Sequence, residues 1–143
     1  MVEEVVQFYF VAPAIVGIIV SLVEMFFVMQ DEGGMHPLAH GLHAVPTCFL
    51  FTYISMNAPF FGNWLVNSLG WTFFGNTAVS MFVIPILIGL IAAIKVKSAA
   101  AIVGGHGSIG EKLPHALFIG AMIAAAPFVW PFLVGIIPEF LNR

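Results

Sequence analysis

From Gly33 to Ile94 the chain contains no Asp, Glu, Lys or Arg, a run of 62 residues without a formal charge. A domain that folds in water carries charges of both signs over its surface, and globular proteins average about 25% charged residues. This chain has only 8%. We therefore expect lipid to be the solvent for most of the molecule. The lack of any basic patch also excludes nucleic acid as a partner.

Four apolar segments are long enough to cross a bilayer, at roughly residues 5–29, 38–57, 71–94 and 113–137. About 20 apolar residues in a helix span the hydrocarbon core, where the backbone must satisfy its own hydrogen bonds. The expected fold is therefore all-α: one membrane domain over residues 1–143, with four transmembrane helices in an up-down bundle. Prolines recur in every span, and glycine, alanine or serine pairs spaced four apart predict close helix packing.

The segment between the second and third predicted spans is too apolar for an ordinary loop. It contains Phe60-Phe61-Gly62-Asn63-Trp64, and the sequence Phe-Phe-Gly-Asn returns at 73–76. One interpretation is a short amphipathic segment in the headgroup layer, with Trp64 and Trp71 as anchors. The other is a re-entrant segment whose Asn63 and Asn67 face a pore.

The connection from Lys95 to Lys112 holds three of the four basic residues. The positive-inside rule places such a loop in the cytoplasm, and with four spans both termini then lie outside. Within this loop, residues 105–110 match the GxGxxG pattern. The dinucleotide-binding fingerprint requires a β-strand before the glycines, so we interpret the match as a flexible connector.

Four spans place the first and third connections on the same side of the membrane. All five histidines of the chain then gather at one end of the bundle, together with three acidic residues. This cluster comprises Glu24, Asp31, Glu32, His36, His40 and His43, with His106 and His115 as possible additional ligands. His36, His40 and His43 have i, i+4, i+7 spacing, which places them on one helix face.

Glu24 and His43 are predicted to lie at the same depth. Each is five residues inside its span, about 7–8 Å below the surface at 1.5 Å per residue. The two spans are antiparallel neighbours, so the two side chains are expected to be within reach of each other.

Three interpretations of the cluster remain open. Ionisable groups within membrane spans often mark an ion route, and histidine exchanges protons near neutral pH. Carboxylate and imidazole together also suit a divalent transition metal or a haem. Alternatively, the cluster is structural and occupies the headgroup level, where polar residues are stable.

The sequence contains no recognisable catalytic motif, so we do not expect an enzyme. The favoured function is a small proton or metal-cation channel or transporter that acts as an oligomer. The alternative is a non-catalytic subunit of a larger, oxidoreductase-type membrane complex, whose histidines bind metal, haem or pigment. The expected partners are the lipid bilayer and either copies of this chain or foreign subunits.

Overall fold

The computed structural model of the protein describes residues 6–31, 37–103 and 112–136, and every regular element within these ranges is helical. The five α-helices are α1 (Val11–Asp31), α2 (Pro37–Met56), α3 (Ala58–Leu69), α4 (Ile84–Val103) and α5 (Leu113–Leu133). A 3₁₀ turn at Thr72–Gly75 and a π-helical turn at Val79–Val83 connect α3 to α4.

Three of the helical segments are long and apolar enough to cross a membrane: Val11–Gln30, Val79–Ser98 and Leu113–Leu133. These segments are those of a membrane protein, as the charge-free sequence predicts. Helix α2 has 20 residues, but its described side chains form only the shorter apolar stretch Val45–Met56. The four-span bundle therefore stays a prediction.

Helix α1 begins at Val11, several residues later than the predicted start of the first span. Pro13 lies in its first turn, and proline has no N–H with which to continue a helix from upstream residues. Residues 6–9 have no regular secondary structure. They leave the helix axis and lie against the junction of α2 and α3, where Tyr9 is hydrogen-bonded to Asn57.

The four long helices pack against one another around a filled core. Helix α2 contacts α1, α4 and α5, and α5 also contacts α1 and α4. Fully buried side chains from all four helices meet at the centre, among them Val20, Cys48, Ala92, Ile119 and Ile123.

The predicted small-residue pairs lie at helix crossings inside the single chain. A Cβ added to Gly89 of α4 would fall on the carbonyl oxygen of Gly120 and lie 2.8 Å from the Cβ of Ala124. The reciprocal addition at Gly120 would meet Gly89 and Ala93 in the same way. The two small-residue pairs therefore let the α4 and α5 backbones touch.

Helix α3 has 12 residues, about 18 Å at 1.5 Å per residue, which is too short to cross the hydrocarbon core. It contacts the two turns that follow it and the adjoining parts of α2 and α4. The π-helical turn has a local cause, because Pro85 cannot donate the usual bond to the carbonyl of Met81. The N–H of Ile84 instead bonds Val79 O, five residues back.

Candidate functional site

Glu24 is a carboxylic acid in the interior of the bundle, only 1% exposed, within the long apolar helix α1. An acid at this depth is costly, and in membrane proteins it usually faces the bundle interior, as it does here. Ser21, one turn earlier on α1, is also buried. Its hydroxyl donates to Gly17 O at 2.6 Å and lies 3.3 Å from Val45 O of α2.

The packing of α1 on α2 sets which residues share a level with Glu24. Gly17 lies against Phe49, and Ser21 lies opposite Val45, so each turn forward along α1 is matched by a turn back along α2. The next turn brings Glu24 to the level of the α2 backbone around His43. A meeting of the Glu24 and His43 side chains stays a prediction, because the side chain of His43 is not among the described ones.

His115 lies near the start of α5 and reaches α1. Its ring stacks on Phe27, with centroids 4.3 Å apart and an interplanar angle of 12°. Phe27 is three residues after Glu24 on the same helix. Glu24 and His115 therefore occupy the same end of the bundle, which we call the histidine end.

The side chains of the other predicted members of the cluster lie outside what the structure describes. The backbones of Asp31, His40 and His43 are helical, but their side chains are not among the described ones. Glu32, His36 and His106 lie outside the described residues altogether, as do residues 105–110 of the connector. Among the side chains that are described, no three His, Cys, Asp or Glu residues converge as metal ligands. A metal or haem site here thus remains a prediction.

A stripe of small polar side chains follows α2 from about the level of Gly17 toward the α3 end of the bundle. Cys48, Thr52 and Ser55 of α2 are all 0% exposed and follow i, i+4, i+7 spacing along one face. The Thr52 hydroxyl donates to Cys48 O at 2.8 Å, and the Ser55 hydroxyl donates across to Ile123 O of α5 at 2.7 Å. Each hydroxyl oxygen still has lone pairs that can accept a proton. The i, i+4, i+7 spacing of these three residues is a sequence signal for the stripe that the predictions above do not use.

Asn57 ends the stripe and is also 1% exposed. Its Oδ1 accepts from the Tyr9 N–H at 2.7 Å, and its Nδ2 donates to Tyr9 O at 3.1 Å and to Tyr53 O at 3.0 Å. The Tyr53 hydroxyl donates to Phe10 O at 2.6 Å. These bonds hold the segment that precedes α1 against the end of α2.

An open cavity of about 630 Å³ lies beside Asn57, at the opposite end from His115. Asn63 and Asn67 of α3 line it, as do Gln7, Thr77 and Ser80. These two asparagines were predicted to lie either in an interfacial segment or in a re-entrant segment that faces a pore. They share a face of a short helix at the bundle end and face an open cavity.

The repeated Phe-Phe-Gly-Asn sequence forms one wall of this region. A Cβ on Gly62 would lie 2.8 Å from Phe74 O, and a Cβ on Gly75 would lie 3.2 Å from Val66. The first copy therefore packs on the second through Gly62, whereas Gly75 of the second copy packs on Val66, a later residue of α3. The asparagines differ in role, because Asn63 lines the cavity whereas Asn76 Oδ1 accepts from Ala78 N–H at 2.9 Å and caps the following helix.

Comparison with known proteins adds no assignment to this geometry. The chain matches no protein-family model, no curated protein and no solved structure.

Proposed function

We propose that the protein is a small polytopic membrane protein that conducts protons, with Glu24 as its central proton-binding group. The supporting observation is the burial of this acid inside a long apolar helix, since a costly ionisable group in a span usually serves an ion route. His40, His43 and His115 are the proposed partners at the histidine end, where Asp31, Glu32, His36 and His106 would form the mouth.

The packed interior favours a proton over a larger ion. Cys48, Thr52 and Ser55 are completely buried between Glu24 and the cavity at the other end. A metal cation needs several oxygen or nitrogen ligands and room for them, whereas a proton can pass between hydroxyl oxygens over short distances. The stripe therefore suits proton transfer, and a metal cation is the less suited cargo.

The membrane arrangement is part of the same proposal. Helix α2 would also cross the membrane, in addition to the three long apolar segments, which gives a four-span up-down bundle with α3 at one interface. The segment from Lys95 to Lys112, which was predicted as a loop but whose first part belongs to α4 as far as Val103, would be cytoplasmic, and both termini would lie outside. Several chains would assemble as an oligomer.

The decisive experiment measures proton flux into proteoliposomes containing the purified protein, with a pH-sensitive dye inside and an imposed potential. We expect Glu24→Gln to reduce the flux to that of empty vesicles, because an amide of the same shape cannot release a proton. Glu139→Gln removes the same formal charge near the C-terminus and should leave flux unchanged.

Two results would count against proton conduction. One is equal flux for the wild type and Glu24→Gln, and the other is no wild-type flux above the lipid leak. Elemental analysis and an absorption spectrum of the same preparation then distinguish the alternative function. Stoichiometric metal or haem, lost in His40→Ala and His43→Ala, would identify a cofactor-binding subunit of a larger complex.

A further inference from the structure

We propose that the open cavity at the α3 end is a binding site for a neutral polyhydroxyl group, the glycosyl headgroup of a membrane lipid. The site is separate from Glu24 and lies at the opposite end of the bundle. Its volume of about 630 Å³ is that of a small-molecule site, for which ~300–1,000 Å³ is typical.

The cavity wall carries hydrogen-bonding groups that the protein does not use itself. Within the part of the chain that the structure describes, the side chains of Gln7, Asn63, Asn67 and Thr77 make no hydrogen bond. Asn57 and Ser80, deeper in the wall, are already bonded to Tyr9 and to Thr77 O. The wall thus combines fixed inner groups with four free outer ones.

The chemistry of these groups selects the ligand class. Amide and hydroxyl groups both donate and accept, as do sugar hydroxyls, so a polyhydroxyl ligand can satisfy every one of them. No described residue that lines the cavity is charged. An anionic phosphate placed there would lose its hydration without a cation to replace it, which is strongly unfavourable.

The position of the cavity favours a lipid over a free sugar. Trp64 and Trp71 lie at this end of the bundle and are 51% and 54% exposed, as is typical of tryptophan side chains at a membrane–water interface. Met81, in the π-helical turn, adds an apolar edge to the cavity and is half-exposed. A headgroup in the cavity would leave its acyl chains along this apolar edge.

The test is native mass spectrometry of the full chain released from detergent micelles. The probes are monogalactosyl diacylglycerol and phosphatidylglycerol with identical acyl chains, and methyl β-galactoside as the free sugar. We expect retention of the galactolipid over phosphatidylglycerol. Asn63→Leu and Asn67→Leu should each weaken retention about two- to tenfold, the effect of losing one neutral hydrogen bond.

Ser68→Leu is the matched control, because Ser68 is an exposed polar residue of α3 that does not line the cavity. It should leave retention unchanged.

Displacement of the lipid by methyl β-galactoside at equal concentration would uphold the polyhydroxyl site and make a free sugar its ligand. Equal retention of both lipids, or equal loss in Ser68→Leu and Asn67→Leu, would overturn the proposal. Glu24→Gln should not alter retention, so this result is independent of proton flux.

Discussion

At the residue scale, the side chain of Asn57 supplies the segment before α1 with the hydrogen bonds that a neighbouring backbone would otherwise provide. Its side-chain amide pairs with both the N–H and the C=O of Tyr9, as a second peptide group would. Phe8 adds an edge-to-face contact with Phe60, at 5.1 Å between ring centroids. One buried amide therefore fixes both the start of α1 and one wall of the cavity.

Replacing this amide tests its role directly. We expect Asn57→Ala to lower the free energy of unfolding by ~1–3 kcal/mol, because three side-chain hydrogen bonds are lost and the backbone N–H and C=O of Tyr9 lose their partners. Asn57→Asp keeps an acceptor for the Tyr9 N–H but no amide donor, and adds a buried charge, so it should also destabilise. The measurement is thermal unfolding in detergent.

A local readout separates the loss of this contact from general damage. Chymotrypsin should cleave at Phe8–Phe10 faster in Asn57→Ala than in the wild type, while cleavage elsewhere is unchanged. Equal cleavage rates in the two proteins would show that Asn57 does not hold the segment.

At the element scale, the crossing of α4 and α5 depends on the absence of side chains. Gly89 and Gly120 face each other so closely that an added methyl group on either would overlap the backbone of the other helix. Phe82, in the π-helical turn that leads into α4, stacks on Phe128 of α5, at 5.4 Å between centroids. The helices therefore approach closely at one point and are spaced by aromatic rings at another.

Three glycine-to-alanine substitutions should form a graded series in thermal stability. Gly89→Ala should cost about 1–3 kcal/mol, because the obstructing atom is backbone and the helices must separate. Gly17→Ala should cost less, because its nearest neighbour, the Phe49 ring at 3.0 Å, can rotate. Gly135→Ala should be close to neutral, since nothing lies within 4 Å of the added Cβ. Similar melting temperatures for Gly89→Ala and Gly135→Ala would contradict the close crossing.

At the scale of the whole molecule, the two ends differ in chemistry. Both tyrosines and all three tryptophans lie at the α3 end: Tyr9, Tyr53, Trp64, Trp71 and Trp130. The Lys112 and His115 positions lie at the other end, about 30 Å away along α5 at 1.5 Å per residue. An aromatic girdle at one interface and basic residues at the other are typical of an oriented membrane protein.

The orientation and the number of spans can be tested together by cysteine labelling. In a Cys48→Ala background, we expect Val2→Cys and Asn142→Cys to react with an impermeant maleimide in intact cells. Ser108→Cys should react only after lysis, because the lysine-containing loop is predicted to be cytoplasmic. Labelling of only one terminus in intact cells would show an odd number of crossings and would refute the four-span arrangement.

How much of the site was predictable depends on whether its signal was local. The burial of Glu24 is what its place in an apolar run predicts, because an acid within a membrane span is least costly where it faces the interior of the helix bundle. Small residues spaced four apart predict the close approach of α4 and α5. They do not predict that the two packed helices belong to the same chain. Ser55 and Asn57 were missed, because their roles depend on Ile123 and Tyr9, which are distant in sequence.

The charge-free run and the lengths of the apolar segments determined, without any coordinates, that the chain is helical and belongs in lipid. Those properties are set by the cost of burying charge and of leaving backbone groups unbonded, which every segment meets on its own. Only the tertiary structure decided that residues 58–69 form a separate helix beside a cavity and that Asn57 binds Tyr9. These features arise where segments distant in sequence come into contact, and the periodicity of one segment does not show which other segment it will contact.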